Sequence, residues 1–547
     1  MTPDVDDIPD ARHRRLILIA MCTALVAVVA SVSGLNVAQQ QLATDLGATQ
    51  SQLLWMINGY TIALAALLLP IGAIGDRWGR KHVLVGGLGL FLAANIFGSL
   101  AATITQLMAS RIAAGVGAAM IMPVTLSVIT SSFPDEDRDR AVGVWAGFAG
   151  AGGILGLVAS SIVVDNFTWP WVFAAPITMG AIALLMTVTS VPNSREHNGG
   201  RFDVVGSVLS ALAVGALVLG IHEGPEAGWA EPVTLGGLIG GAIAAVAFVM
   251  WELRQTHPLL NLKVFRNRTL SSGSINLLMV FAIMSGLFLV LVQFLQAALG
   301  YSALKASAGL VPMAALMMPL SSVAPILSRR VGLRTMFVTG ISAIAVGMAL
   351  MAGLASVSGG YWSIVPGLIV LAVGVGLTMT PGTAAITGSL PVEEQGVASA
   401  LNDTVREIGA AVGTALIGSL LSAGYSSSIS DVAATLPGEA GEVVKEGIGG
   451  AMVVSAQMGP QGAPILKAAR EAFVDGWGFS MWIAAGVAVV AAISAAVLTP
   501  SRKVEFAARD AAEAARDAVA RTGSDDLDLE LAVESVDPAH LAVSAGD

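Results

Sequence analysis

The apolar residues of this chain fall in unbroken runs of about 20 residues, and this feature restricts its fold more than any other. A helix rises about 1.5 Å per residue, so such a run crosses the roughly 30 Å hydrocarbon core of a bilayer. Only 12% of the residues are charged, which is about half the share found in soluble domains. The pattern predicts an all-α polytopic membrane protein.

The apolar runs divide the chain into fourteen predicted spans. They lie near residues 15–37, 53–74, 83–104, 107–130, 141–164, 171–191, 204–222, 233–251, 272–297, 307–328, 336–356, 363–388, 398–422 and 477–499. The first run follows the basic stretch ARHRR, but it is too long for the apolar region of a signal peptide. The single cysteine, Cys22, excludes an intrachain disulfide.

The basic residues predict the orientation of these spans. With the N-terminus in the cytoplasm, most of the 28 Lys and Arg residues fall in cytoplasmic segments. The exceptions in external segments are Lys305, Lys445, Lys467 and Arg470. Because cytoplasmic loops are enriched in Lys and Arg, we expect both termini in the cytoplasm. Residues 1–14 are then the cytoplasmic N-terminus, residues 423–476 a long external loop and residues 500–547 an acidic cytoplasmic tail.

Two short loops reveal an internal repeat. GAIGDRWGRK occupies residues 72–81, and PILSRRVGLR occupies residues 325–334. An offset of 253 residues aligns Arg77 with Arg330, Gly79 with Gly332 and Lys81 with Arg334. One loop joins the second and third spans, and the other joins the tenth and eleventh. The chain is therefore predicted to contain two six-helix halves, 15–191 and 272–499, with two extra helices at 204–251 between them.

The first of these loops has a specific arrangement of glycines and charges. Its spacing places Gly72, Asp76, Arg77, Gly79, Arg80 and Lys81 within ten residues. This arrangement resembles the signature loop between helices 2 and 3 of the major facilitator superfamily, and it implies the major facilitator fold. The resemblance implies that these residues form a cytoplasmic gate that is released as the two halves rock. Physically, the glycines permit close helix approach, and Asp76 can pair with arginine or bind a helix N-terminus.

Other stretches resemble the fourteen-span drug:proton antiporter branch of this superfamily. They are LLWMINGYTIALAALLLPIGAIGDRWGRK, WELRQTHPLLNLKVFRNR, FLQAALGYSALKASAGLVP and ALNDTVREIGAAVGTALIGSLL. The resemblance covers nearly all of residues 14–500. It implies multidrug efflux, antibiotic resistance and a location in a bacterial cytoplasmic (inner) membrane.

The chain departs from that branch at several places, in helices 1, 4 and 5. Ser31 stands where the branch usually has an aspartate in helix 1, before Asn36-Val37-Ala38. In helix 5, Gly156-Leu157 stands in place of Gly-Pro. Because an organic cation would lack its usual counter-ion on helix 1, these departures favour neutral, amphiphilic or zwitterionic substrates.

Ionisable residues inside membrane spans are costly and often functional. The thirteenth span contains Asp403, Arg406 and Glu407 on roughly one face, and the fourth contains Arg111. We predict that these four residues take part in proton coupling. Asp403 lies only about 7 Å from the start of its predicted span, so an interfacial ion pair that stabilises the helix is the alternative.

Polar residues in three spans are candidates for the substrate path between the halves. They are Asn36, Gln39 and Gln40 in the first span, Asn58 in the second, and Gln293 and Gln296 in the ninth. Methionines in the fourth, ninth and tenth spans could add an adaptable apolar surface, although methionine in a membrane helix more often serves packing.

The leading functional hypothesis is secondary efflux of hydrophobic or amphiphilic compounds by alternating access, driven by proton antiport. A facilitator, or an exporter of one endogenous metabolite or lipid without proton coupling, is an alternative. A non-transporting membrane partner or sensor is another, with the acidic tail as a docking element. The sequence has no phosphate-binding loop, metal-ligand cluster or nucleophile motif, so we expect no enzyme activity, cofactor or metal. The expected partners are a small amphiphilic substrate, protons and membrane lipid, with no nucleic acid, and the protein is expected to be a monomer.

Overall fold

The computed structural model of the protein describes residues 10–192, 202–391 and 394–507. The described residues form helices joined by turns, without a strand among them. Fourteen of these helical segments are long and apolar enough to cross a membrane. The prediction of an all-α polytopic membrane protein is therefore confirmed, whereas most of the acidic tail and the first nine residues lie outside the described part.

The N-terminal half consists of six helices. They are α1 (Ala11–Asp45), α2 (Gln50–Trp78), α3 (Arg80–Ser99), α4 (Ile104–Ser132), α5 (Asp135–Asn166) and α6 (Ala174–Ser190). Helix α1 is longer than its predicted span because Asp10 caps its first turn, where the backbone N–H of His13 donates to Asp10 Oδ1 at 2.7 Å. Helix α2 begins with a capping box formed by Thr49 and Gln52.

The two extra helices, α7 (Val204–Ala227) and α8 (Pro232–Glu252), form a tightly packed pair. A Cβ atom added to Gly237 would lie 2.8 Å from the backbone of Gly220, so the two backbones are almost in contact. Helix α7 also packs against α2 and against α14 of the C-terminal half. The pair is therefore attached beside the boundary between the two halves.

The C-terminal half repeats the six-helix arrangement with one additional short helix at α10. Its helices are α9 (Arg268–Gln293), α10 (Ala303–Ala308), α11 (Val311–Val331), α12 (Leu333–Leu354), α13 (Val365–Thr387), α14 (Gln395–Ala433) and α17 (Ala463–Leu498). The halves meet along two seams, because α2 packs against α14 and α5 packs against α11.

The segment 423–476, which the sequence analysis interprets as a loop, is mostly helical. Helix α14 continues to Ala433, α15 (Glu439–Glu446) and α16 (Ile448–Gln457) follow, and α17 begins at Ala463. The buried Tyr425 hydroxyl fixes α15 by donating to Val444 O at 2.9 Å. The small residues that suggested a loop permit close helix packing instead, since Gly441 lies against the backbone of Ala433. That interpretation is corrected, while the external position of the segment stays a prediction.

Candidate functional site: a latch and buried charges between the halves

Asp76 connects the two halves at the end of the bundle that carries the loop 72–81. We call this end, which the sequence predicts to be cytoplasmic, the gate end. Asp76 is only 4% exposed, and its Oδ1 accepts from the Arg80 guanidinium at 2.8 Å and from the Gly396 N–H at 2.9 Å. Its Oδ2 accepts from the Val397 N–H at 3.1 Å. Asp76 thus binds the N-terminus of α14, where unpaired N–H groups and the helix dipole favour a carboxylate.

Glycines allow this contact. A Cβ atom added to Gly72 would lie 2.5 Å from Gly396 O and from the Ala400 side chain, so α2 and α14 touch backbone to backbone. Gly79 has φ +102°, a conformation that favours glycine, and it separates α2 from α3. The structure therefore brings together Gly72, Asp76, Gly79 and Arg80 of the predicted gate.

The remaining two predicted gate residues have other surroundings. Arg77 is partly buried in the last turn of α2. The Lys81 ammonium donates to Val188 O at 2.9 Å, near the end of α6, in its own half. Lys81 therefore stabilises the C-terminus of α6, where a cation is favoured.

A second ionic contact joins the other seam at the gate end. The offset of 253 residues places Arg329 where the first loop has Asp76. Arg329 of α11 pairs with Asp139 of α5 at 2.7 Å, and both side chains are partly exposed. The same offset aligns Gly143 with Gly396, and a Cβ atom on Gly143 would lie 2.8 Å from Ser321 O. This contact was not predicted from the sequence, although the internal repeat contained the signal for it.

We call the contact of Asp76 with the α14 N-terminus the latch. Farther along α14, away from the gate end, lies a buried ion pair. Asp403 is 0% exposed, and its Oδ1 accepts from Arg406 Nη1 at 3.2 Å and from the Asn402 amide at 3.0 Å. Its Oδ2 has no hydrogen-bond partner among the described residues. Because α14 begins at Gln395, Asp403 lies about 12 Å into the helix, deeper than the sequence analysis expects.

Arg406 is enclosed by aromatic rings from both halves. Its guanidinium lies 4.5 Å from the ring centroid of Phe281 in α9 and 5.4 Å from that of Trp145 in α5. Trp145 is fully buried, and its indole N–H donates to Thr125 Oγ1 at 3.1 Å. Trp145 was not predicted as a site residue, because a tryptophan in an apolar run gives no signal of an arginine some 260 residues away.

Arg111 lies in a separate polar cluster of the N-terminal half. It donates to Ser31 Oγ at 2.9 Å, and Ser31 donates to Asn95 Oδ1 at 3.1 Å. Its guanidinium also lies 4.3 Å from the ring centroid of Tyr60. Glu407 is partly buried and follows Arg406 directly on α14. Of the four predicted proton-coupling residues, Asp403 and Arg406 are thus paired in the C-terminal half, and Arg111 lies in the N-terminal half.

The family model of the Major Facilitator Superfamily matches residues 19–414. The chain belongs to this superfamily. The fourteen spans are therefore those of a major facilitator transporter, with two six-helix halves and two additional helices.

Several curated relatives in this superfamily are similar to most of the chain. The "Multidrug efflux pump LfrA" of Mycolicibacterium smegmatis is 32% identical over 90% of this chain and 97% of its own. The "Tetracenomycin C resistance and export protein" of Streptomyces glaucescens is 28% identical over 89% and 91%. Among solved structures, the proton:xylose symporter XylE covers 89% of this chain and 95% of its own with a TM-score of 0.56. At 14% identity, that likeness shows the fold alone.

The candidate substrate-path residues differ in how exposed they are in this major facilitator chain. Asn58 is buried, and its amide nitrogen has no hydrogen-bond partner among the described residues. Asn36, Gln293 and Gln296 are exposed, whereas Gln39 is partly buried. The side chain of Gln40 lies outside the described part. Within that part no group of three or more His, Cys, Asp or Glu residues is placed to hold a metal.

Proposed function

We propose that this chain is a secondary active efflux transporter that exports hydrophobic or amphiphilic compounds by alternating access, driven by proton antiport. The observation that carries the proposal is the latch of Asp76 on the α14 N-terminus, with the buried Asp403–Arg406 pair behind it. A contact that joins two halves and can be broken by rocking is what alternating access needs. The relatives named as multidrug efflux and export proteins support the substrate class.

The two seams favour assignment of this conformation as closed to the cytoplasm. Both cross-half ionic contacts, at Asp76 and at Arg329, lie at the gate end. By contrast, α1 and α9 have no extensive contact with each other within the described residues. Asn36 and Gln293 lie toward the ends of these helices that are away from the gate end, where an outward-facing opening would form between α1 and α9. At that end Ser307 of α10 still joins the halves, because it donates to Ser161 of α5 at 3.2 Å.

The buried pair supplies a physical basis for proton coupling. While Asp403 is ionised, it compensates the charge of Arg406, and both remain buried. Protonation of Asp403 would leave Arg406 as a buried cation without its counter-ion, at a cost of several kcal/mol. Opening of the gate end would hydrate Arg406 and relieve this cost. Proton uptake from outside would therefore favour the inward-facing state, as antiport requires.

The polar cluster around Arg111 favours a second candidate function. Ser31 binds Arg111 where the related branch has an aspartate, so this half carries no carboxylate at that position. An exporter of one neutral metabolite or lipid without proton coupling fits that observation. A bacterial cytoplasmic membrane with both termini in the cytoplasm, and a monomeric state, remain part of the proposal.

Transport in proteoliposomes loaded with the pH-sensitive dye pyranine tests this proposal. The vesicles are challenged with ethidium, methyl viologen and a neutral amphiphilic fluorophore. Wild type is compared with Asp403→Asn and Glu407→Gln, and Asp165→Asn, an exposed carboxylate at the end of α5, is the control. We expect substrate-dependent proton flux that Asp403→Asn abolishes and Asp165→Asn preserves. Substrate transport without proton flux, unchanged in both α14 variants, would support the uncoupled exporter instead.

A further inference from the structure

Trp145 is a buried aromatic residue of one half that faces a buried cation of the other. It belongs to α5, whereas Arg406 belongs to α14, and the guanidinium lies 5.4 Å from the indole centroid. Cation–π contacts form within about 6 Å and are strongest over tryptophan and in desolvated sites. Both side chains are buried, so this contact is of the strong kind.

The N-terminal half holds the indole ring in place. The Trp145 N–H donates to the Thr125 hydroxyl of α4, and that hydroxyl donates in turn to Met122 O at 2.7 Å. Trp145 and Thr125 are both 0% exposed. The ring is therefore fixed to α4 and cannot follow Arg406 when the halves separate.

The other contacts of Arg406 come from its own half. Asp403 lies one turn away on α14, and Phe281 belongs to α9, which packs extensively against α14. When the gate end opens, Arg406 keeps these two partners and loses Trp145. The contact lies ten residues, or about 15 Å, deeper than the latch at Gly396. Of the two aromatic rings around Arg406, Trp145 is therefore the one that loses its contact when the gate end opens.

Among the described residues, α14 itself supplies the carboxylates nearest to Arg406 along the helix, Asp403 and Glu407. Arg111 of α4 lies over the ring of Tyr60. Helices α5 and α9 present the aromatic rings of Trp145 and Phe281. Protonation of the carboxylates on α14 therefore leaves more of the positive charge of Arg406 to be compensated by the Trp145 ring.

We infer that Trp145 is a positioning residue that stabilises the closed gate end through Arg406 and so sets the pH at which that end opens. The inference rests on the proposed proton coupling. When protonation of Asp403 removes the counter-ion, the indole face still compensates part of the charge of Arg406. Opening consequently requires more protonation with Trp145 than without it, so loss of the ring shifts opening to higher pH.

Double electron–electron resonance between spin labels at His82→Cys and Thr335→Cys tests this in reconstituted protein with Cys22→Ala. These two positions are exposed at the gate end, one in each half. The fraction of open molecules is measured from pH 5 to pH 9 in the absence of any substrate. The variant is Trp145→Leu, and Trp145→Phe retains a weaker aromatic face. Trp477→Leu is the matched control, because Trp477 is equally buried but binds Met351 O within its own half.

We expect Trp145→Leu to raise the midpoint of opening by about one pH unit, which is about a tenfold change in the ratio of open to closed molecules. Trp145→Phe should give a smaller shift in the same direction, and Trp477→Leu none. Suppose that the wild type responds to pH. A midpoint that is unchanged in Trp145→Leu, or that Trp477→Leu shifts equally, would then overturn the role of Trp145 and leave proton coupling intact. A wild-type distance that is independent of pH would overturn both the inference and proton coupling.

Discussion

Asp76 divides its two oxygens between two backbone N–H groups of α14 in the opposite half and one arginine of its own half. Oδ1 accepts hydrogen bonds from Arg80 and from the Gly396 N–H, and Oδ2 accepts one from the Val397 N–H. The spacing of the loop predicted a gate, but not that the aspartate would bind a helix terminus some 320 residues away. Local spacing identifies residues that can act, whereas the partner depends on how the two halves pack.

Asp76→Asn keeps the shape of this side chain and removes its charge. The amide offers only one acceptor oxygen, so one of the two bonds to the α14 N-terminus is lost, and the ion pair between Asp76 and Arg80 is lost as well. Hydrogen bonds to charged groups contribute about 1.5–3 kcal/mol each. We therefore expect the closed state to weaken and ethidium efflux to fall at least tenfold. Asp137→Asn, which alters an exposed pair with Arg14 at 3.4 Å, should leave efflux nearly unchanged.

The Arg329–Asp139 pair should respond differently because it is partly exposed. Screening by solvent limits such pairs to about 1 kcal/mol or less. Single neutralisations, Arg329→Gln or Asp139→Asn, should reduce efflux less than fivefold. The exchanged double variant, Arg329→Asp with Asp139→Arg, should recover most of the loss. Recovery by the double variant distinguishes a charge pair from two unrelated residues, and additive losses would contradict the pairing.

At the scale of helices, hydropathy located the spans well but misjudged α14 and α17. Their ends at Ala433 and Ala463 extend about 11 and 14 residues beyond the predicted spans, into sequence that is less apolar. Hydropathy detects burial in lipid, whereas these extensions are stabilised by each other. Ser428, for example, donates to Asp475 across the two helices at 2.6 Å. Tertiary contacts of this kind leave no periodic signal.

Close crossing of α9 and α14 gives a test at this scale. A Cβ atom on Gly413 would overlap the carbonyl oxygen of Ala282, and backbone cannot move as a side chain would. Gly413→Ala should therefore destabilise the protein by about 1–3 kcal/mol, with a lower melting temperature in detergent. Gly236→Ala is the control, since a Cβ at that helical position of α8 meets nothing within 4 Å. Equal melting temperatures for the two variants would show that the crossing is looser than described.

For the whole molecule, the two six-helix halves and the extra pair followed from the count of spans and the internal repeat. The interface between the halves could not be predicted in this way, because a repeat indicates the structure of each half and not which residues of the two halves are in contact. The cross-half contacts of Asp76, Arg329 and Arg406 all connect residues about 190 to 320 positions apart.

Alternating access requires the gate end to open once in every cycle. Reversible cross-linking of Arg329→Cys to Asp139→Cys by a short bis-methanethiosulfonate reagent, in protein that carries Cys22→Ala, would hold α5 against α11 at that end. We expect cross-linking to stop ethidium efflux and reduction to restore it to the level of the double variant that was not cross-linked. Continued efflux in the fully cross-linked protein would mean that transport does not require this seam to separate.

Helix α7 touches α2 of one half and α14 of the other, while its partner α8 turns large apolar side chains such as Ile239, Ile243 and Val246 outward. Rocking of the halves must change at least one of the two α7 contacts, so the outer pair tilts or slides within the bilayer. The thickness of the surrounding bilayer then affects the free energy of the conformational change, because a tilted helix pair has to match the hydrocarbon layer around it. We accordingly expect the turnover rate to vary with acyl-chain length at constant headgroup composition.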